Sequence, residues 1–301
     1  MKSIDQELVT LDNDNTLSPS IHEDKKCCCF NIAYFPIAKI YVCNHWIVKP
    51  IRPLIIIVLF LYLLFTGCYD SIVYIPNKTI SYIFLVIFIL IALALAFAYF
   101  STIIASPGYL PYDYAHYSDL QNLTWENLMD SIVTYQEQLD YARQSKRPPR
   151  SSFSVLARRF VLRADHYCYW TESWIGIKNQ RYFMLTLSWA DLFVLAWFLV
   201  HIWWFRNECV NYQYLHLYIY LGIVIGFIAF CSATYYLLRA VSHVKHNLTS
   251  IEIWKKSAKA TDYDKGCFNN FAEVCGEKKY CPLWFCPCVP LEPVENGLYE
   301  P

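Results

Sequence analysis

Four consecutive residues, Asp165, His166, Tyr167 and Cys168, place a carboxylate, an imidazole and a thiol next to one another. A free cysteine has a pKa of about 8.5 and is only a few per cent thiolate at neutral pH. A neighbouring His can take the thiol proton, and an Asp can orient that imidazole and stabilise its charged form. The spacing indicates Cys168 as nucleophile, His166 as base and Asp165 as orienting residue, although Cys and His also lie this close by chance in many proteins.

The composition is that of a membrane protein. Of the 301 residues, 56% are hydrophobic and only 17% are charged, and the mean hydropathy is +0.25, which is too apolar for an ordinary soluble protein. The formal net charge is zero, so no global basic field indicates a nucleic-acid partner. Most of the 13 cysteines fall in segments assigned to the cytosol below, where thiols remain reduced.

Four apolar segments are long enough to cross the roughly 30 Å of a bilayer's hydrocarbon core. They cover residues 53–74, 81–104, 182–205 and 215–240. The sequence therefore predicts an α-helical polytopic membrane protein with four transmembrane helices and a large loop between the second and the third.

Basic residues predict the orientation of these spans. Nine Lys and Arg residues lie in the loop of residues 105–181, whereas the loops after the first and third spans contain only Lys78 and Arg206. Because basic loops remain on the cytosolic side, we expect the central loop and both termini to be cytosolic. Within this loop, the spacing of apolar residues over 118–144 predicts an amphipathic helix.

Five regions follow from these boundaries. They are a cytosolic tail and interfacial segment (1–52), spans one and two (53–104), a cytosolic catalytic domain (105–181), spans three and four (182–240) and a cytosolic C-terminal region (241–301). The polar residues 1–24 are expected to be disordered.

Several flanking residues leave two interpretations open. Cys27, Cys28 and Cys29 follow a Lys pair and are either S-acylation sites or ordinary surface cysteines. Asp191, inside the third span, has either a functional role or an interhelical hydrogen bond. His201, near the end of that span, is expected at the membrane interface.

Four motifs, in this order along the chain, resemble the DHHC family of protein S-acyltransferases. Tyr167 takes the place of the second His of the family signature. The matching residues are Ser106-Pro107-Gly108 (Ser for the family's Asp), the signature with Trp170, Gly176, Asn179 and Phe183, the Asn247, Thr249, Ser250 and Glu252 motif (Ser250 for a Thr), and Tyr263, Asp264, Gly266, Asn270, Val274 and Gly276. The resemblance covers residues 54–276, approximately.

The resemblance implies a two-step transfer of a long acyl chain. Cys168 would take the chain from palmitoyl-CoA or a similar acyl-CoA, and a membrane-proximal cysteine of a protein substrate would then receive it. The Ser250 hydroxyl would contact Asp165, and Asn270 would anchor the C-terminal element to the bundle. A multi-pass protein of endomembranes or the plasma membrane is implied.

Two further substrate contacts are expected, each with a simpler alternative. The basic residues that could hold the CoA phosphates are Arg158, Arg159, Arg163 and Lys178, and the alternative is that they anchor the loop to the membrane surface. Phe193 could close the end of an acyl pocket, or it could serve packing alone.

One departure from the family concerns metal. Members carry Cys and His ligands for two structural zinc ions, and the places that resemble those ligand positions are here Phe153, Ser154, Ala157, Phe160, Tyr167 and Trp174. None of these residues supplies a normal zinc ligand. We therefore expect no zinc or other cofactor there, and two small aromatic cores instead. The competing hypothesis is an inactive membrane scaffold that has the same fold, although Asp165, His166 and Cys168 are all present.

Overall fold

The computed structural model describes residues 23–27, 30–35, 40–43, 46–48, 51–110, 147–154, 159–211, 217–256 and 263–294. The predicted amphipathic helix at 118–144 lies outside these residues, as do most of the predicted disordered tail, Cys28, Cys29 and Arg158. For Cys27 and Arg159 only the backbone is described.

Four long helices form the body of the protein. They are α1 (Ile51–Tyr74), α2 (Lys78–Ile104), α3 (Gln180–Asn211) and α4 (Leu217–Lys245), and each is long and apolar enough to cross a membrane. The predicted fold class is thereby confirmed. The fourth helix ends at Lys245, five residues beyond the predicted end at residue 240.

α3 is the central helix of the bundle, since it packs against α1, α2 and α4. Its buried residues Phe193 and Trp197 meet Phe88 of α2, whose ring stacks on Phe193 at a centroid distance of 4.9 Å. Gly67 of α1 makes room for this contact, because a Cβ there would lie 2.6 Å from the Phe88 ring. Small residues at such positions let membrane helices approach closely.

A buried polar group joins α1 to α3 near the end of the bundle that lies away from Cys168. His201 Nε2 lies 2.9 Å from a carboxylate oxygen of Asp70, and both side chains are buried. The Trp197 indole N–H donates to the Thr66 hydroxyl at 2.9 Å. The ring of His201 is therefore held inside the bundle, and the depth of His201 at the membrane interface stays a prediction.

Asp191 makes an interhelical hydrogen bond, which was one of the two interpretations left open for it. The hydroxyl of Thr234 in α4 donates to the Asp191 carboxylate in α3 at 3.2 Å. This is an interhelical hydrogen bond of the kind that compensates a polar side chain inside a membrane.

Short strands and helices make up the rest. The N-terminal strands β1 (Glu23–Cys27), β2 (Phe30–Phe35), β3 (Ile40–Cys43) and β4 (Trp46–Val48) form an antiparallel sheet in sequence order. The hairpins are β5 (Ser152–Ser154) with β6 (Arg159–Val161) and β7 (His166–Cys168) with β8 (Ser173–Ile175). After α4 follow α5 (Ser250–Lys255), α6 (Cys267–Cys275) and a 3-10 helix (Lys278–Leu283). The N-terminal sheet was not predicted from the sequence.

Candidate active site

Strand β7 gives His166 and Cys168 a common face. Side chains alternate along a strand, so residues two apart point the same way and the one between them points to the opposite face. Tyr167 accordingly faces away and pairs across the hairpin with Trp174. The extended backbone thus places the side chains of His166 and Cys168, two residues apart in sequence, next to each other.

Asp165 holds His166 through one of its carboxylate oxygens. His166 Nδ1 and Asp165 Oδ2 are 2.7 Å apart, and Asp165 is almost fully buried. The imidazole also packs edge to face on Phe183, with ring centroids 5.1 Å apart. These contacts fix the ring and leave its other nitrogen for Cys168.

The charges within this group favour an imidazolium and a thiolate. Burial raises the pKa of Cys168, but its hydrogen bond and charge interaction with His166 outweigh burial and lower the pKa overall. Burial lowers the pKa of His166, whereas the Asp165 and Cys168 contacts raise it to about 10. Cys168 is 5% exposed, whereas the His166 side chain is 27% exposed, so the thiol is buried and the imidazole is partly open to solvent.

The motif after α4 contacts Asp165 through helix α5. Thr249 caps that helix: its hydroxyl accepts the Glu252 backbone N–H at 3.2 Å, and the Glu252 carboxylate accepts the Thr249 N–H at 2.7 Å. This capping box directs the free N–H of Ser250 towards Asp165 Oδ1, at 2.7 Å. The Thr-x-x-Glu spacing could have predicted this capping box from sequence.

Ser250 contacts Asp165 as expected, but not through the expected hydroxyl group. The backbone N–H of Ser250 makes the contact, and the hydroxyl lies 3.3 Å from His243 Nδ1 instead. His243 itself lies 4.0 Å from Asp165 Oδ1, so a second imidazole flanks the site. Sequence analysis did not identify His243, because no local pattern connects α4 with residue 165.

Arg150 is the largest omission of the sequence analysis. Its guanidinium holds both carboxylate oxygens of Glu252, at 2.7 and 3.0 Å, and also contacts Asn247. It lies over the Tyr263 ring, 4.3 Å from the centroid. A planar guanidinium suits such bidentate pairing, and Arg150 therefore connects the catalytic segment to the two motifs that follow α4.

Arg163 is buried and hydrogen bonds within the protein. It is 0% exposed, and its guanidinium donates to Gln180 and, at 2.7 Å, to Asn247 Oδ1. The expectation that Arg163 holds CoA phosphates is corrected by this burial, because no solvent-facing side remains for a phosphate. Lys178 is exposed at the start of α3 and stays available for such a contact.

Asn247 and Asn270 join the C-terminal element to the bundle. Asn247 donates to the Tyr263 carbonyl at 2.7 Å and also to the Glu273 carboxylate. Asn270 donates to the carbonyl of Lys245, the last residue of α4, at 2.8 Å. Both side chains are buried, and their amides pair with backbone groups that water would otherwise satisfy: one for Asn247, the Tyr263 carbonyl, and two for Asn270, the Lys245 carbonyl and the Lys265 N–H.

The Ser106-Pro107-Gly108 motif, which follows α2, forms a tight turn. The Ser106 hydroxyl accepts the Gly108 N–H at 3.1 Å, which is a contact that an Asp side chain would also make. Gly108 has a φ of +98°, which favours glycine. Pro107 lies against Gly176, where an added Cβ would be 2.3 Å from the Pro107 carbonyl oxygen.

Trp170 and Phe193, two predicted motif and substrate-contact residues, differ in exposure. Trp170 follows the nucleophile closely, is half exposed, and accepts a hydrogen bond from Tyr99 at its carbonyl. Phe193 is buried in the middle of the bundle, 13 residues after Gln180 and thus about 20 Å along α3.

Aromatic pairs occupy the positions where the resemblance places metal ligands. Phe153 and Phe160 face each other across β5 and β6, with ring centroids 5.1 Å apart. Tyr167 and Trp174 do the same across β7 and β8 at 6.0 Å. These side chains do not fit a zinc ion, since they offer neither thiolate nor imidazole.

Comparison with known proteins relates the chain to one family. A sequence model described as DHHC palmitoyltransferase matches residues 133–257, which include the hairpins, α3, α4 and α5. The match therefore contains Asp165 to Cys168 and the motif that ends at Glu252.

Curated proteins extend the similarity beyond that region. Probable protein S-acyltransferase 12 of Arabidopsis thaliana is 24% identical over 225 residues, which cover 70% of this chain and 74% of that protein. Probable protein S-acyltransferase 14 of the same plant is 27% identical over 220 residues, covering 67% and 71%. Palmitoyltransferase akr1 of Schizosaccharomyces pombe is 26% identical over 146 residues, covering 48% and 22%.

Proposed function

Because the chain matches the DHHC palmitoyltransferase family model over residues 133–257, we propose that it belongs to this family and is a membrane-integral protein S-acyltransferase that carries a long acyl chain on Cys168. The observation that supports this most directly is the Asp165, His166 and Cys168 contact, in which a buried carboxylate orients an imidazole against a thiol of lowered pKa. A scaffold protein would have no use for an activated thiol.

In the first step the Cys168 thiolate attacks the thioester carbonyl of palmitoyl-CoA or a similar acyl-CoA. The bond from Cys168 sulfur to the carbonyl carbon forms, the bond from carbon to CoA sulfur breaks, and the CoA thiolate takes the proton that His166 carries. The buried Asp165 stabilises the imidazolium before this transfer.

In the second step a cysteine of a protein substrate receives the chain. Neutral His166 removes the proton of the incoming thiol, the new thioester forms, and Cys168 leaves as the thiolate that the imidazolium again stabilises. Acceptors are membrane-proximal cysteines on the cytosolic face, because the basic central loop places the catalytic segment there by the positive-inside rule.

The acyl tail lies among the four helices in this proposal, with Phe193 near the end of its path. The exposed Lys178, together with Arg158 and Arg159 on the neighbouring segment, would attract the CoA phosphates. Both termini are cytosolic, and the protein resides in endomembranes or the plasma membrane.

The enzyme is proposed to work without zinc at the hairpins. Structural zinc stabilises a fold directly, so its replacement must supply comparable packing. The two aromatic pairs do so in part, since burying each ring contributes about 1.5–3 kcal/mol. Elemental analysis of purified protein should therefore find no zinc, and activity should survive a strong chelator. Near-stoichiometric zinc would contradict this proposal.

The decisive test of function is acyl labelling of the full-length protein. A labelled palmitoyl-CoA should give a hydroxylamine-sensitive adduct on Cys168, identified at the level of the peptide, and transfer to a substrate protein. Cys168→Ser should remove both signals. Cys231→Ser, an exposed thiol on α4, is the matched control and should remove neither.

Other cysteines need attention in this experiment. Label could also accumulate on Cys27 to Cys29 or on Cys281, Cys286 and Cys288, so these residues are first replaced by Ser. If Cys168→Ser then leaves the adduct and the transfer unchanged, Cys168 is not the acyl carrier and the proposed mechanism fails. If the natural protein itself gives neither adduct nor transfer, the scaffold hypothesis is supported instead.

A further inference from the structure

The segment that follows α6 lies against the end of the transmembrane bundle. Trp284 is 7% exposed and packs in one cluster with Met184 of α3 and Val244 of α4. Met184 lies four residues inside the apolar span that starts at Gln180, which is about 6 Å along the helix axis. Trp284 therefore contacts the bundle at the level where the spans meet the soluble elements.

Arg181, in the first turn of α3, binds the backbone of this segment. It is 2% exposed, and its guanidinium donates to four carbonyl oxygens, those of Leu283 at 3.1 Å, Trp284 at 3.3 Å, Cys286 at 2.7 Å and Val289 at 2.9 Å. Irregular backbone is tolerated where water is scarce only if its polar groups are paired within the protein. These four contacts supply that pairing, so the segment suits a site with little water.

The side chains around Trp284 are apolar and exposed. Leu283 and Phe285, on either side of it, are 40% and 67% exposed. The ring of Phe268 in α6 is 52% exposed and lies 5.4 Å from the Trp284 ring, and Lys278 Nζ lies 5.7 Å from the Phe268 centroid. We call Phe268, Leu283 and Phe285 the apolar patch. An exposed apolar surface with basic residues at its edge is typical of a site that contacts a membrane.

We propose that the apolar patch is a membrane-interface anchor, in which Leu283 and Phe285 enter the headgroup region of the bilayer. The exposed Lys278 and Lys279 lie near the lipid phosphates. The patch is continuous with the lipid-facing surface of the spans, because Trp284 joins it to α3 and α4. Aromatic and basic side chains are enriched at this level of membrane proteins. The inference concerns contact with lipid and does not rest on acyltransferase activity.

Photo-crosslinking of the full-length protein tests this contact. Phe285 is replaced by p-benzoylphenylalanine, a photoreactive analogue, and the protein is reconstituted in phosphatidylcholine vesicles that contain an alkyne-tagged phosphatidylcholine. Illumination should attach the tagged lipid at this position, as at the position of Phe97, an exposed side chain of the apolar helix α2. The analogue at the position of Lys265 is the negative control, because this exposed side chain pairs with Glu273 at 2.7 Å in the soluble network around Asn247.

The crosslinked products decide between lipid and other partners. Lipid attached at the position of Phe285 and absent at that of Lys265 supports the anchor. A yield at Phe285 no higher than at Lys265 would mean that the patch faces water. A crosslink that joins two copies of the chain would make the patch a protein interface. Either of these last two results overturns the inference.

Proteolysis in the same vesicles measures how strongly the patch holds the segment. Trypsin cleaves after Lys278 and Lys279, and the double variant Leu283→Ser with Phe285→Ser should be cleaved at least about tenfold faster, since the apolar contact with lipid is lost. Val294→Ser, on a side chain that is 57% exposed, is the matched control and should be cleaved at the natural rate. A double variant that is cleaved as slowly as the natural protein would overturn the anchoring role.

Discussion

At the scale of single residues, reactivity at Cys168 depends on charges that burial alone would suppress. Burial raises the pKa of Asp165, but the hydrogen bond to His166, with the contacts of Ser250 and His243, lowers it to about 2. Asp165 therefore remains a carboxylate at any physiological pH and holds His166 as an imidazolium, which in turn favours the thiolate. The largest contribution against burial comes in each case from a neighbour in the same short segment.

This arrangement predicts how stability depends on pH. The lowered pKa of Asp165 contributes stability above its unfolded value of about 3.9, and this is lost as the pH falls towards about 2. The raised pKa of His166 contributes fully below about 6.5 and is lost as the pH rises through about 10. Thermal unfolding in detergent should therefore show the largest difference between the natural protein and Asp165→Asn between about pH 4 and 6.5. A difference that does not vary with pH would contradict the pairing.

Ser250 provides a second test at this scale, because its backbone and not its hydroxyl contacts Asp165. Ser250→Ala keeps that N–H and loses only the long contact with His243, so acyl-enzyme formation should fall by less than about threefold, as expected for about 0.5 kcal/mol. Rapid-quench labelling with palmitoyl-CoA measures this rate. A loss as large as that of Asp165→Asn would mean that the hydroxyl itself is required.

At the scale of elements, the sequence predicted the long helices, because a long apolar segment is easy to recognise. Hydropathy identified all four membrane helices, since an apolar run of this length has few alternatives. It did not identify β7 and β8, because three-residue strands have no period to read, and their pairing depends on contacts such as Tyr167 with Trp174. Arg150 was also missed, since its partner Glu252 is distant in sequence and the contact requires the folded loop.

Helix α5 depends on Arg150, and this predicts an effect of a conservative change. Arg150→Lys keeps the charge but cannot hold both oxygens of Glu252 and Asn247 together, so at least one charged hydrogen bond is lost. Stability should fall by about 1.5–3 kcal/mol, and acyl-enzyme formation should slow because α5 no longer directs the Ser250 N–H at Asp165.

Chemical unfolding and acyl labelling in the same detergent measure both effects. Lys255→Arg, at the exposed end of α5, is the matched exchange and should change neither quantity. If Arg150→Lys is destabilised but forms acyl-enzyme at the normal rate, α5 supports the fold without positioning Asp165.

At the scale of the whole molecule, two polar groups fix the bundle at opposite ends of an apolar middle. Near Cys168, Arg150, Arg163 and Asn247 join the soluble elements to the helices, and at the far end Asp70 and His201 join α1 to α3. These contacts could not be predicted from the sequence, because they depend on how each helix is rotated about its axis. Between them lies the apolar cluster around Phe88, Phe193 and Trp197, which is where we propose that the acyl tail from Cys168 ends.

Phe193 gives the last prediction: if the proposed acyl tail reaches this cluster, the Phe193 ring should limit the length of chain that fits. Phe193→Leu removes the stacking on Phe88 and leaves room for a longer chain. Two additional buried CH₂ groups are worth about 1.6 kcal/mol, so the ratio of stearoyl to palmitoyl loading on Cys168 should rise by up to about fifteenfold. Competition between the two acyl-CoAs, read by mass spectrometry of the Cys168 peptide, measures the ratio. Phe65→Leu, on a side chain that is 71% exposed, is the control and should not change it. An unchanged ratio in a Phe193→Leu protein that loads normally would assign Phe193 to packing alone, and the tail would then follow another path between the helices.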